Sequence, residues 1–249
     1  MKIFASKISH ILSTVIFSIM LVMLSCIYSF STLQASETFV VSSPSLKMFF
    51  IYSTKSQLGS SAKSLAEYQM ARNGAGYIWK NENYYYVISS AYENKNDAEL
   101  VSAKLKSDGE ENEIFEISLK SINFICPISS PEAKSTLGAG LNLFVSTYRS
   151  LFDISVCLDT KIYDETNAFL EINRTYAKAD EVMKNFHIVF GECEEKQIKS
   201  LENAILDLNE SIGFLAENQK INEKQTLISQ IRYHYVQIIE IFNSFLTNF

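Results

Sequence analysis

Three prolines, eight glycines and four cysteines are all that 249 residues hold of the types from which collagen-like, low-complexity and disulfide-built chains are made. None of those classes fits. A surplus of basic charge is also missing, because 22 Lys and Arg stand against 28 Asp and Glu for a formal charge of −6. A protein that displaces counterions from nucleic-acid phosphates needs a basic face, so nucleic acid is not an expected partner. The three histidines, His10, His187 and His234, show neither HxxxH nor HExxH spacing, and no two cysteines form CxxC. No catalytic residue, metal site or cofactor is expected from such a set. What the chain does have is 47% hydrophobic residues, including 17 Phe and 13 Tyr, enough for one or two domains with a real core.

From Ile8 to Ser36 there is no Lys, Arg, Asp or Glu, and Ile11 to Phe30 is nearly continuous apolar sequence. Twenty helical residues reach about 30 Å, the thickness of bilayer hydrocarbon. Lys2 and Lys7 precede the run and Glu37 follows it, so residues 1–36 read as a cytoplasmic stub and transmembrane anchor with the remainder outside. Two processed alternatives also export the remainder: cleavage after the small residues of Leu33–Ser36, or acylation of Cys26 within Met23-Leu24-Ser25-Cys26, which is similar to a lipoprotein box. Of the exported cysteines, Cys157 and Cys193 could form a bridge, while small buried thiols are the default for these two and Cys126.

A polar linker, residues 37–46, leads into short elements. Lys47–Ser53 is apolar and aromatic like a buried strand, and Gln57–Asn73 carries Leu58, Ala62, Leu65, Ala66 and Met70 at helical spacing, with Gly74 where a left-handed cap is expected. Gly76–Trp79 and Tyr84–Ser90 are β-prone runs separated by Lys80-Asn81-Glu82-Asn83, which predicts a hairpin. Asn96–Ser107 reads as a second helix and Glu113–Lys120, with period two, as a half-buried strand. The order β-α-β-β-α-β predicts a ferredoxin-like, split-βαβ unit whose helices cover one face of a four-stranded antiparallel sheet and leave the other free.

Tyr85-Tyr86-Val87-Ile88-Ser89-Ser90-Ala91-Tyr92, followed by Glu93-Asn94-Lys95-Asn96-Asp97-Ala98 and a helix, resembles the second half of the sporulation-related repeat (SPOR) domain family. Gly74-Ala75-Gly76-Tyr77-Ile78 is similar to the strand lead-in of Gram-positive versions. Phe49–Thr54 lacks the family's Val-Gln-Val-Gly-x-Phe, and Ser89-Ser90 stand in place of Val-Gly. The resemblance, over about 30% of the chain, implies an envelope domain that binds peptidoglycan glycan strands lacking stem peptides, in division or sporulation proteins that are single-pass with the N-terminus inside. Aligned on the family strand, Tyr85 and Val87 face the helices. Tyr84, Tyr86 and Ile88, joined by Tyr77 and Trp79 of the hairpin partner, then form the open-face set expected to meet a glycan. Aromatic rings suit sugars because C–H faces pack on them and phenol hydroxyls bond equatorial groups. The same rings would equally serve as core and cross-strand pairs.

From Ser130-Pro131 onward the pattern becomes helical, with Pro131 at a first helical position. Phe169, Ile172, Tyr176, Ala179, Met183, Phe186 and Phe190 step by three and four. So do Ile198, Leu201, Ile205, Leu208, Ile212 and Leu215, and again Ile228, Ile231, Tyr235, Ile238, Phe242, Phe245 and Phe249. A less regular helix spans about Lys134–Leu158, and breaks are expected near Asp159-Thr160, Gly191-Glu192 and Asn218–Asn222. Three or four antiparallel helices in a bundle, or a coiled-coil dimer, follow. The acidic residues between the apolar steps read as a solvated face, and Gly138-Ala139-Gly140 as a close helix contact.

The expectation is an α+β chain: an N-terminal transmembrane helix, a SPOR-like domain over 47–122, and a helical bundle or coiled coil over 130–249. Its expected function is non-enzymatic binding of peptidoglycan in the cell envelope, with residues 160–249 available for a protein partner or self-association. The alternative is a membrane-anchored helical scaffold that binds no glycan.

Overall fold

The computed structural model describes residues 39–81, 83–217 and 225–248. The expected anchor, Cys26, Phe249 and the break at Asn218–Asn222 lie outside them. Among the described residues no helix is long and apolar enough to cross a membrane.

The elements run β1 (Val40–Ser42), β2 (Leu46–Ser56), α1 (Gly59–Met70), β3 (Tyr77–Asn81), β4 (Tyr84–Tyr92), α2 (Lys95–Ser107), β5 (Glu113–Leu119) and β6 (Asn123–Ile125). Four helices follow: α3 (Pro131–Asp159), α4 (Glu165–Phe190), α5 (Lys196–Glu217) and α6 (Leu227–Thr247). The fold is therefore α+β, a small antiparallel sheet followed by a helical half. Sheet order is β3-β4-β2-β5, with every neighbouring pair antiparallel.

Part of the expected linker is structured: β1 pairs with β6, Val41 opposite Phe124, in a two-stranded ribbon. Asn94 caps α2 by accepting from the Asn96 N–H, and Ser130 caps α3 by accepting from Ala133 ahead of Pro131. The cap at the end of α1 differs from expectation. Asn73, not Gly74, holds the positive φ of 66°, while the Gly74 N–H donates back to the Gln69 carbonyl at 2.8 Å. Asn tolerates that conformation better than other side-chain-bearing residues. At Gly76 (φ +60°) a Cβ would sit 2.5 Å from the Ala66 carbonyl oxygen, so only glycine lets the chain turn off α1 into β3.

The four helices form a bundle. α3 packs on α4, α4 on α5, α5 on α6, and α6 returns beside α3. Stacked Phe144–Phe242 (4.8 Å between centroids) and edge-on Tyr148–Tyr235 (5.6 Å) mark the antiparallel α3–α6 seam. Gly140 makes a close approach, since a Cβ there would lie 3.0 Å from both Ile205 Cδ1 and Phe186 Cδ2. The apolar steps read from the sequence are its core: Ile172, Ala179, Phe186 and Phe190 of α4, and Ile198 through Leu215 of α5, are buried. Phe169, Tyr176 and Met183 lie half-buried at its margin. Cys126 is buried, Cys157 and Cys193 are half-buried, and all three are free thiols.

Residues 39–249 make one compact unit, and among the described residues a continuous apolar core runs from Met48 and Phe50 through Leu137 and Phe144 to Phe242. The boundary drawn between residues 122 and 130 therefore does not divide the core. One sheet face packs Val87 against Ala62 and Ala66 of α1, with Ile78 and Tyr85 alongside. The opposite face, expected to be free, meets α6 over β3 and β4.

Candidate functional site

The aromatic face of the sheet is built by two bulges as well as by strand alternation. Ile51 pairs with Ser90 but Tyr52 with Ile88, so Ser89 is an extra residue in β4; Tyr52 is followed in register by Thr54, so Ser53 is an extra residue in β2. Each bulge shifts the side-chain phase by one. Ser89 uses its freed carbonyl to accept from the Ala75 N–H at 2.7 Å, which fixes the approach to β3. Ser53 turns Lys55 onto the face that carries Tyr52 and Tyr86.

Two cross-strand rows result. Tyr77, Ile88, Tyr52 and Glu113 lie side by side on β3, β4, β2 and β5, and the next row is Trp79, Tyr86 and Lys55. The rings of Phe50, Tyr52, Trp79, Tyr86 and Phe115 form one cluster. Phe50 stacks on Phe115 at 5.0 Å, Tyr86 meets Tyr52 edge-on at 5.1 Å, and Tyr86 lies 5.3 Å from Phe115. Phe115 was not among the residues expected at the site, although its phase within Ile114–Leu119 put it on one face. Lys55 could not have been found by alternation, because the bulge reverses it.

The five expected site residues separate into two groups. Tyr77, Trp79 and Ile88 are buried, at 8%, 5% and 0% exposure. Tyr77 is held by α6: its hydroxyl donates to the Glu240 carboxylate and its ring packs on Tyr233 at 4.9 Å. Burial first, and the Glu240 carboxylate second, push its phenol well above the ordinary range, so it stays neutral. Trp79 packs against Phe50 at 5.1 Å and Phe115 at 6.4 Å between centroids. Tyr84 and Tyr86 remain half-buried at the uncovered corner, where the Lys55 ammonium lies 5.6 Å from the Tyr84 ring centroid and Gln57 Nε2 donates to the Tyr84 hydroxyl at 3.4 Å.

Beside this corner runs a groove of about 610 Å³ lined by Tyr52–Lys55, Lys106 and Gly109–Glu113. Within it the Tyr52 hydroxyl donates to the Glu113 carboxylate, and burial followed by that bond raises the phenol well above its usual value.

The helical half offers a Ser–His contact, Ser211 Oγ to His234 Nδ1 at 2.9 Å. Both residues are buried and Ser211 also donates to Gln237 Oε1 at 2.9 Å, so the contact ties α5 to α6 inside the core. Among the described residues no group of three His, Cys, Asp or Glu is placed to hold a metal ion. No family model, curated protein or solved structure matches the chain.

Proposed function

We propose that this is a non-enzymatic envelope protein, held in the membrane by residues 11–30 with its N-terminus inside. The ferredoxin-like, SPOR-like sheet binds peptidoglycan glycan strands at its uncovered corner. The observation that carries the reading is the partial exposure of Tyr84 and Tyr86, with Tyr86 packed on Tyr52 and Phe115 and Tyr84 beside Lys55. A sugar face needs an accessible ring held rigid from below, and this corner supplies one. Further support comes from the β-α-β-β-α-β order and from the resemblance of Tyr85–Ala98 to SPOR sequences.

The test is a pull-down of the full chain in detergent on sacculi stripped of stem peptides by amidase. Wild type is expected to be retained and the Tyr84→Ala/Tyr86→Ala variant to stay in solution. Equal behaviour of the two proteins would remove glycan binding from this corner.

The second reading, an anchored scaffold acting through its helices, is favoured by a specific feature. α6 and its Tyr233 and Glu240 occupy the part of the sheet face that holds Tyr77, leaving less of it for a ligand. A scaffold would keep its partner when Tyr84 and Tyr86 are both alanine.

A further inference from the structure

One of the two bulges decides the charge of the aromatic face. Without the extra residue at Ser53, alternation from Phe50 and Tyr52 would place Thr54 on that face and turn Lys55 to the side of α1. With it, Thr54 pairs with Val87, whose side chain packs on Ala62 and Ala66 of α1, and Lys55 pairs with Tyr86. Bulges recur where a strand must re-aim a side chain. This one sets an ammonium beside two half-exposed tyrosines.

Lys55 is exposed, and among the described residues it forms no ion pair. Its contact is the Tyr84 ring, 5.6 Å from ammonium to centroid. A cation over a ring face is held without using a hydrogen bond, so its three N–H groups stay open to an acceptor. Glu113, in the adjoining row of the same face, is engaged by the Tyr52 hydroxyl. The row beyond supplies amides: Asn81 of β3 pairs with Tyr84, and Gln57 donates to the Tyr84 hydroxyl from the other side. The corner therefore presents rings, amides and an ammonium that no carboxylate neutralises.

We propose that Lys55 is the specificity residue of this corner, bonding the lactyl carboxylate that a muramyl sugar carries once its stem peptide is gone. The proposal rests on the reading of the corner as a glycan site. A stem is joined to the lactyl group through an amide. Hydrolysis adds water across that bond, leaving a carboxylate on the sugar and an amine on the departing peptide. Only the hydrolysed sugar offers Lys55 an anion, and a charge-assisted bond is about twice as strong as one to a neutral amide oxygen. The tyrosines serve any sugar face, whereas the lysine ties the corner to strands without stems. Binding here thus follows the amide hydrolysis that strips the strand.

Soluble bare glycan fragments in two forms supply the test. One keeps its free lactyl carboxylates; in the other they are coupled to methylamine, which removes the charge and adds little bulk. Calorimetric titration of the full chain in detergent should show the carboxylate form binding about tenfold tighter than the methylamide. Lys55→Gln should reduce that preference to about twofold or less, and Lys55→Arg, which keeps the charge, should preserve it. Both changes fall at an exposed position and leave the fold in place. Equal affinity of wild type for the two forms, or a preference undiminished in Lys55→Gln, would overturn the proposal and leave the aromatic corner standing. Binding of neither form by wild type would remove the corner reading itself, and this proposal with it.

Discussion

Tyr77 and Tyr84 stand on adjacent strands of one sheet, on the same face, yet their surroundings are opposite. Tyr77 is tied to Glu240 and packed on Tyr233, whereas Tyr84 is half-exposed beside Lys55. The difference comes from α6, a helix more than 130 positions along the chain, and not from anything near either tyrosine. Strand alternation decides which face a side chain joins. What covers that face is decided by a different part of the sequence.

The largest test of this comparison asks whether sheet and helices are one cooperative unit. Phe242 stacks on Phe144 in the α3–α6 seam and belongs to the core that reaches Phe50. Phe242→Ala should destabilise by about 3–5 kcal/mol. Trp79 fluorescence reports the sheet and far-ultraviolet dichroism mainly the helices, and the two denaturation curves should shift together. Separated midpoints would show that the covered corner is an adhesion between two independent domains.

A second test of the α5–α6 pairing behind that cover is pH. His234, bonded to Ser211 and flanked by Phe214, Tyr233 and Gln237, is pushed from 6.5 down to about 4. Burial is the main cause, partly offset by the Gln237 bond. A base whose folded pKa lies below its unfolded one leaves the unfolded chain binding more protons between the two values. Its contribution is therefore complete above about pH 6.5 and is lost as pH falls towards 4. The full difference is about 3 kcal/mol. His234→Gln should flatten that part of the stability profile relative to wild type, and an unchanged slope would mean that the ring is solvated in the folded state.

How far the sequence revealed this arrangement differs between its parts. The three-and-four steps of α4 and α5 were legible because each helix buries one stripe. α6 buries Val236 and Ile239 in addition to the expected Ile231, Tyr235, Ile238, Phe242 and Phe245. It is enclosed by both bundle and sheet, and a single-stripe pattern cannot report a second partner. That Tyr84, Tyr86 and Ile88 share a face was legible by alternation, while which face they join came from the resemblance to the family strand. The phase of Lys55 was not, because serine at a bulge carries no local signature that separates Ser53 from any other strand serine. The positive φ of Asn73 was missed in favour of Gly74, since both residue types suit it. Asn73 also has a long-range role: its side-chain oxygen accepts from Thr226 Oγ1 at 2.7 Å and its carbonyl from Arg232 at 2.8 Å, fastening the α1–β3 turn to α6.

Of two tyrosine-to-phenylalanine changes, the one with the smaller effect on stability should have the larger effect on binding. Tyr77→Phe removes one hydrogen bond to a carboxylate and should destabilise by about 1.5–3 kcal/mol while leaving retention on bare glycan unchanged. Tyr84→Phe loses only a long bond from Gln57 at a half-exposed site, so its folding free energy should stay within about 0.5 kcal/mol of wild type. Its retention should nonetheless fall, because the phenol hydroxyl, which accepts from Gln57, keeps its own proton to donate to an equatorial sugar hydroxyl. If the order is reversed, with Tyr77→Phe impairing retention and Tyr84→Phe silent, then α6 must leave the sheet for glycan to bind. The helix would then be a gate, and the covered corner the binding surface.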